Sequence, residues 1–286
     1  MENFQFTSPS SIDKVVELLD ERECTLISGG QSLLLDVRSG ERSPSCLVDI
    51  NDLPDRSYIE RDGDKLRIGC LARHTDVATS EIVEDHCQIL AEAVHSIGDV
   101  QVRNRGTLCG ALAQAEPAGD PPVIAAVLDA TIVARGRDEK EEFDGEAFVT
   151  DPSTTQLDSS QLITEVQFPV IEEPCGASYE KYTPIEVAYP VVSVGSLVKL
   201  SNGVIGESRI YTGSIENMPV NRPEAEEFLE GKEPSQKNIE RAAELVKEHT
   251  TATEDFEGSD EFKLEITQTM AHRSLSTAVE RAGGSL

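Results

Sequence analysis

Two glycine-rich segments constrain the fold of this chain more than any other feature of its sequence. The first, S-G-G-Q-S at residues 28–32, directly follows a short apolar run at residues 24–27 that is typical of a buried strand. Glycine lets the backbone turn sharply and approach a neighbour closely, so successive N–H groups can point at one anion. A helix that begins near Ser32 would add its N-terminal dipole. The segment therefore indicates either a pyrophosphate-binding loop or a tight strand-to-helix turn without a ligand.

The second glycine-rich segment, residues 106–113, consists mostly of small residues. Such a backbone can lie against a flat or close neighbour. Asp120 follows, directly before two prolines at a predicted helix start, which favours an N-cap over a ligand to ribityl or ribose hydroxyls. Neither segment matches G-x-G-x-x-G or G-x-x-x-x-G-K-(S/T), which excludes a Rossmann or P-loop nucleotide site.

Helix and strand patterns divide the chain into two units. Up to about residue 170, helical and strand patterns are mixed, with a hairpin at Asp62-Gly63 and a helix predicted over residues 121–128. Residues 136–146 are highly charged and predict a solvated loop. After an acidic linker at residues 172–174, the patterns predict three antiparallel strands and then three helices: strands at 177–182, 191–200 and 204–212, helices at 223–229, 236–248 and 260–281.

The composition is strongly acidic, with 53 Asp and Glu against 25 Lys and Arg and a net charge of -28. This charge excludes binding to nucleic acid or anionic lipid, which requires clustered basic side chains. The acidic residues are spread along the chain, which predicts a halophilic protein; an ordinary acidic protein with a basic partner is the alternative. The first ten residues do not resemble a signal peptide, and no apolar run is long enough to span a membrane, so we predict a cytoplasmic location.

Cysteine and histidine give no indication of a metal or catalytic site. The 6 cysteines form no C-x-x-C pair and have no metal-ligand spacing, so we predict free thiols and no metal in this chain. The 5 histidines are scattered and are interpreted as structural or surface residues. No arrangement for hydrolysis is present, and we predict no catalytic residue.

Several motifs, in order, resemble the FAD subunit of the molybdenum hydroxylases, the family of carbon monoxide dehydrogenase and xanthine dehydrogenase. That family carries A-G-G-(H/T)-(S/D)-L and then L-V-D-(I/L), similar to residues 28–33 and 47–50 here. Its motif I-G-x-x-Q-(I/V)-R-N-x-G-T-(I/L)-G-G-N resembles residues 97–111, and Asp120 follows Thr107 by the family's thirteen residues. Residues 162–169, 179–182 and 255–262 extend the resemblance along the whole chain.

The resemblance implies an α+β fold. A two-lobed FAD-binding domain of the PCMH and vanillyl-alcohol-oxidase type would occupy residues 1–172, with lobes of about 1–55 and 56–172. Residues 175–286 would form the C-terminal α+β domain of these flavoproteins, an antiparallel three-stranded sheet with helices.

The resemblance also implies which residues hold FAD. The pyrophosphate would lie between the two glycine-rich segments, Asp120 would bind ribityl or ribose hydroxyls, and Ile163 and Lys181 would border the flavin ring. For Lys181 a surface lysine is the alternative. Cys109 and Ala111 replace a glycine and an asparagine of the family, and binding is expected to persist because it uses mostly backbone. The implied set is Ser28, Gly29, Gly30, Gln31, Ser32, Leu33, Thr107, Cys109, Gly110, Ala111, Asp120, Ile163 and Lys181.

The implied activity is electron transfer within an oxidoreductase complex. This subunit would pass electrons from the [2Fe-2S] clusters of a small partner subunit to FAD and then to a terminal acceptor. A large partner subunit would hold molybdopterin, so the chain would work in a hetero-oligomer. The alternatives are a self-contained FAD-dependent oxidoreductase and a structural subunit with weak or no FAD.

Overall fold

The computed structural model describes residues 4–137 and 139–286. The chain begins with three short parallel strands, in the order β1-β3-β2, and two connecting helices. These elements are β1 Gln5–Thr7, α1 Ile12–Glu21, β2 Thr25–Ile27, α2 Leu33–Ser39 and β3 Cys46–Asp49.

Helix α1 forms because one face is apolar and a serine caps its first turn. Ser11 Oγ accepts a hydrogen bond from the Lys14 N–H at 3.3 Å, and Val15 and Leu19 are buried. The crossover through α1 makes β1 parallel to its neighbour in the sheet. Strands β2 and β3 are also parallel, so their carboxyl ends lie at one edge. Residues 28–32 therefore begin beside Ile50 and Asn51, and the Ile50 N–H donates to the Ile27 carbonyl at 3.0 Å.

The second lobe contains a five-stranded antiparallel sheet in the order β4-β5-β10-β6-β7 and a separate two-stranded sheet, β8-β9. The strands are β4 Ile59–Asp62, β5 Lys65–Gly69, β6 Thr131–Arg135, β7 Lys140–Asp144, β8 Val149–Asp151, β9 Thr154–Thr155 and β10 Leu162–Pro169. Between β5 and β6 lie six helices: α3 His74–Ala78, α4 Glu81–His86, α5 Gln88–His95, α6 Val100–Arg103, α7 Leu108–Gln114 and α8 Asp120–Val127.

The solvated loop predicted over residues 136–146 is wrong for most of its length. Lys140–Asp144 form strand β7, which pairs with β6 at the edge of the sheet. Only Phe143 of this strand is buried, so its four polar residues hid the pattern of a half-buried strand. Asp138, which falls in the same predicted loop, lies outside the described residues, as do residues 1–3 of the predicted first lobe.

The C-terminal part has an antiparallel sheet packed against helices, as predicted. Its order is β11-β12-β13-β14, and the fourth strand, of two residues, adds to the three expected. The long helix α11 packs on β11 and β12, where a Cβ on Gly176 would lie 2.3 Å from the Ala278 carbonyl oxygen. The elements are β11 Cys175–Tyr182, β12 Val192–Ser201, β13 Val204–Gly213, β14 Val220–Asn221, α9 Pro223–Leu229, α10 Gln236–Glu248 and α11 Asp260–Arg281.

One apolar core joins the two N-terminal sheets and continues to the C-terminal sheet. It includes Val48 from the parallel sheet, Ile68 from the five-stranded sheet and Tyr179 from β11. Helix α8 is entirely buried and packs against β12 and β13. The space between the lobes and the C-terminal sheet is therefore walled by fixed elements. In the part of the chain that the structure describes, no helix is both long and apolar enough to cross a bilayer.

Candidate functional site

A cavity of about 390 Å³ lies where the carboxyl edge of the parallel sheet meets the helices of the second lobe. Both glycine-rich segments line it, together with apolar side chains such as Ile97, Leu157 and Leu162. All residues of the predicted FAD set except Lys181 line this one cavity: Ser28, Gly29, Gly30, Gln31, Ser32, Leu33, Thr107, Cys109, Gly110, Ala111, Asp120 and Ile163. Segments about 80 residues apart in sequence are thus brought together.

The first glycine loop, residues 28–32, presents its backbone to the cavity. It contains Gly30 in the left-handed conformation, with a φ of 69°, and leads into α2 at Leu33. The side chain of Ser32, the N-cap residue, makes no capping bond. Among the described residues, no protein acceptor takes the backbone N–H groups of residues 29–33. Since backbone donors in folded proteins are nearly always paired, this row of N–H groups is suited to an anionic or hydroxyl-rich ligand.

The second glycine loop, residues 104–111, is held largely by its own hydrogen bonds. Thr107 caps α7, and its Oγ1 accepts from the Gly110 N–H at 3.1 Å. The same oxygen lies 3.0 Å from Ser28 Oγ, which joins the two loops through their side chains. A Cβ on Gly29 would lie 2.4 Å from the Arg105 carbonyl oxygen, so the loops touch through their backbones. Glycine at position 29 is therefore required by the contact between the loops.

Cys109 and Ala111, which depart from the family motif, both lie in the cavity wall. Cys109 is 3% exposed and belongs to the main apolar core. Burial raises the pKa of its thiol well above the ordinary value, with small contributions from Cys70 and Glu165. The side chain therefore stays a neutral thiol. As predicted, all six cysteines are free thiols.

Asp120 does not cap helix α8, as the sequence suggested. The N-cap is Gly119, and Asp120 is the first helical residue, with 5% of its surface exposed. Its carboxylate accepts hydrogen bonds from the Tyr179 hydroxyl and, at 2.8 Å, from Lys181 Nζ. Burial raises the pKa of Asp120, and the lysine and the tyrosine hydroxyl oppose that rise. The carboxylate is thus aimed into a network with β11, while the residue still lines the cavity.

Lys181 reaches the cavity only through Asp120. Its ammonium also donates to the Ser96 carbonyl at the end of α5, at 3.0 Å, and its side chain is only 12% exposed. The predicted alternative of a surface lysine is therefore wrong, because this side chain is a buried ion-pair partner. Tyr179, which sequence reasoning did not single out, belongs to the same network.

His74 is a second residue of the wall that sequence reasoning missed. It is 3% exposed, and its Nδ1 has no hydrogen-bond partner among the described residues. A Cβ on Gly106 would lie 2.7 Å from the imidazole ring, so the ring supports the second loop. Burial, with the charges of Arg103 and Arg73, lowers the pKa of His74 to about 4, and the ring is neutral at pH 7. No motif in the sequence marks this histidine.

The residues of this wall fit an FAD molecule. The unpaired N–H groups of the first loop suit a pyrophosphate, the apolar side chains suit a flat ring, and Asp120 retains lone pairs for a hydroxyl. The space that a side chain would fill at Gly29 is taken by the other loop, so the cavity beside it stays open. Among the described residues, no cluster of His, Cys, Asp and Glu could hold a metal ion.

Comparison with known proteins identifies the family. The model of the FAD binding domain in molybdopterin dehydrogenase matches residues 2–171, and that of the CO dehydrogenase flavoprotein C-terminal domain matches residues 177–278. The glyceraldehyde dehydrogenase medium chain of Sulfolobus acidocaldarius is 27% identical, over 95% of this chain and 96% of its own. The carbon monoxide dehydrogenase medium chain of Hydrogenophaga pseudoflava is 26% identical, over 97% and 98%.

A solved structure agrees with this assignment. It is carbon monoxide dehydrogenase from Hydrogenophaga pseudoflava lacking the Mo-pyranopterin moiety of the molybdenum cofactor, with a TM-score of 0.94, 27% identity and coverage of 98% of both chains. The predicted fold, an FAD-binding domain followed by an antiparallel C-terminal sheet with helices, is confirmed by this likeness. The chain belongs to the FAD-binding domain family of the molybdopterin dehydrogenases and is the FAD-binding subunit of an oxidoreductase of the molybdenum hydroxylase type.

Proposed function

We propose that this subunit transfers electrons from the [2Fe-2S] clusters of a partner subunit, through FAD, to a terminal acceptor. The observation that carries the proposal is the closure of the two glycine loops on one cavity, with the backbone donors of residues 29–33 left unpaired. Bound FAD supplies the step from single electrons to electron pairs. The chain's own task is to bind the cofactor, orient it and limit water around it.

Each wall of the cavity has a role in that task. The first loop, residues 28–32, and Leu33 would donate N–H groups to the pyrophosphate, and the second loop with Thr107, Cys109, Gly110 and Ala111 would close the other side. Asp120 would accept from ribityl or ribose hydroxyls, and Ile163 would pack beside the ring system. Lys181 would act through Asp120, by keeping that carboxylate ionised and in place.

The domain limits follow the same division. We assign residues 1–172 to the FAD-binding domain, with lobes of about 1–55 and 56–172, and residues 175–286 to the C-terminal domain. The two family models, matched at residues 2–171 and 177–278, support a boundary near the Glu172-Glu173-Pro174 turn. The buried contacts of α8 with β12 and β13 make the two domains one packed unit.

The partners we propose are a molybdopterin-binding large subunit and an iron–sulfur small subunit. The names of the relatives support this, since those from Sulfolobus acidocaldarius and Hydrogenophaga pseudoflava are medium chains of dehydrogenases. The terminal acceptor and the substrate of the complex are set by groups outside this chain.

Purification of the native complex with flavin, iron and molybdenum analysis tests the proposal. We expect noncovalent FAD in this subunit, and rapid bleaching of its absorbance when the iron–sulfur subunit is reduced. The purified chain stripped of flavin should rebind FAD in a titration. A chain that neither contains nor rebinds flavin would contradict the proposal. Flavin that is reduced directly by an organic substrate, without the partner subunits, would favour a self-contained oxidoreductase.

We also propose that the protein works in a salt-rich cytoplasm. The net charge of -28 is the supporting observation, because dense like charge destabilises a compact state unless salt screens it. The free energy of unfolding should therefore rise from low salt to molar KCl. Stability that is unchanged or lower in molar KCl would contradict this, and a requirement for a basic protein instead of salt would support the alternative.

A further inference from the structure

Asn51 connects the first glycine loop to the end of strand β3. Its Nδ2 donates to the Ser28 carbonyl oxygen at 2.9 Å and also to Asp49 Oδ1. Its backbone N–H donates to the same Asp49 carboxylate at 3.0 Å, which fixes the turn that presents the amide. The start of the first loop is thereby tied to a residue outside the cavity lining.

Arg73 connects Asn51 to the second glycine loop. One terminal nitrogen of its guanidinium donates to Asn51 Oδ1, and the other donates to the Arg105 carbonyl oxygen. The backbone N–H of Arg73 donates to Asp76 at 3.0 Å, so the residue is anchored at the start of α3. The planar fork of arginine can serve two acceptors at once, which a lysine ammonium cannot match.

The two residues act at the point where the loops are closest. The Arg105 carbonyl that Arg73 holds is the atom that a Cβ on Gly29 would strike at 2.4 Å. The Ser28 carbonyl that Asn51 holds precedes that glycine. On the cavity side, the loops are joined by the Ser28 and Thr107 hydroxyls at 3.0 Å. Asn51 and Arg73 thus form an outer bracket (the Asn51–Arg73 bracket) opposite an inner hydroxyl contact.

We propose that Asn51 and Arg73 are positioning residues that set the separation of the two glycine loops and thereby the affinity for FAD. The inference rests on the proposed function, since it assigns these residues to the same cofactor site. A ligand that is bound by backbone donors cannot be improved by side-chain adjustment, so its affinity depends on how well the loops are held before it arrives. The bracket supplies that restraint without touching the ligand.

Titration of FAD into the deflavinated full-length chain, followed by flavin fluorescence, tests this inference. We expect Asn51→Ala and Arg73→Lys each to weaken FAD binding by roughly tenfold, since each removes part of one hydrogen-bonded link. The double variant should be weakened by less than the product of the two factors, because both substitutions break the same bracket. Asn51→Asp keeps the side-chain shape and the acceptor for Arg73, and it should weaken binding because the donor to Ser28 is lost.

The matched control is Arg281→Met. Arg281 also donates to a backbone carbonyl, that of Ala177 at 2.9 Å, and to Glu92, but it lies at the end of α11. This variant should lose thermal stability and keep the FAD affinity of the wild type. Wild-type affinity in the Asn51 and Arg73 variants, or a loss that only follows the thermal midpoint as in Arg281→Met, would overturn the inference. Failure of the wild-type chain to bind FAD would instead overturn the proposed function.

Discussion

The two walls of the cavity use opposite means to face a ligand. The wall made by the glycine loops offers backbone N–H groups and a neutral imidazole, His74, and carries no ionised side chain on the cavity surface of the first loop. The wall made by α8 and β11 buries an ion pair, Asp120 with Lys181. The first wall needs correct backbone geometry, whereas the second needs a matched charge. This difference explains how a chain with a net charge of -28 can offer a site for a pyrophosphate.

Acid acts on the two walls in opposite directions. The pKa of His74 is lowered in the folded protein, so protonation of this imidazole favours the unfolded chain as the pH falls. The pKa of Asp120 is raised, so the folded chain takes up a proton on that carboxyl more readily than the unfolded chain does. The walls can therefore be separated experimentally by pH as well as by substitution.

The largest effect is expected when the ion pair loses its cation. Lys181→Met leaves the buried carboxylate of Asp120 unpaired, and at neutral pH this should cost about 3–5 kcal/mol of unfolding free energy. Because the pKa of Asp120 then rises further, the deficit should shrink as the pH falls and the carboxyl protonates. Urea unfolding as a function of pH measures both.

The control for this variant is Lys140→Met, which removes an exposed lysine paired with Glu142 at 2.9 Å and should cost about 0–1 kcal/mol. The double variant Lys181→Met with Asp120→Asn should recover part of the loss, since no buried charge remains. A deficit of Lys181→Met that matches the control and does not change with pH would show that the pair is not buried in solution.

The next effect is expected on the glycine-loop wall, in acid. His74 has a folded pKa of about 4 against an ordinary value of 6.5, so it should remove about 3 kcal/mol of stability between pH 6.5 and pH 4. This stability is present above pH 6.5 and is lost as the pH falls toward 4. In His74→Gln, which cannot titrate, the free energy of unfolding should fall less over that range. The exposed His95 supplies the control His95→Gln, and equal pH slopes in wild type and His74→Gln would contradict the assignment.

A smaller loss is expected from Gly29→Ala, because the new Cβ meets backbone atoms, the Arg105 carbonyl oxygen at 2.4 Å and Gly106 Cα at 2.7 Å. Overpacking of this kind costs about 1–3 kcal/mol and should also separate the loops and weaken FAD binding. At Gly136 the nearest atom to a new Cβ is Gln161 Cγ at 3.6 Å, so Gly136→Ala is the control with ordinary contact. Thermal unfolding and FAD titration of both variants would decide, and equal behaviour would contradict the close contact of the loops.

Sequence reasoning located the backbone wall better than the charged wall. The order and spacing of the glycine motifs predicted that residues 28–33 and 107–111 line one cavity, and the amphipathic periods predicted α9, α10 and α11 at their observed bounds. Asp120 was favoured as a helix cap because its partners, Tyr179 and Lys181, lie about 60 residues away on another sheet. His74 carried no signal, since its role depends on burial against Gly106. Local patterns report backbone shape, whereas long-range pairing appears only in the folded chain.

The smallest effect is expected from Tyr179→Phe, which removes one neutral donor from the charged wall and leaves the lysine in place. The loss should be about 1 kcal/mol, because one oxygen of Asp120 loses its hydroxyl partner and the ring still fills the same space. The pKa of Asp120 should rise, since the hydroxyl opposes the effect of burial, and so the deficit should diminish in acid, as in Lys181→Met. Unfolding at several pH values measures this. A loss as large as that of Lys181→Met would mean that hydrogen bonding, and not the matched charge, holds this wall together.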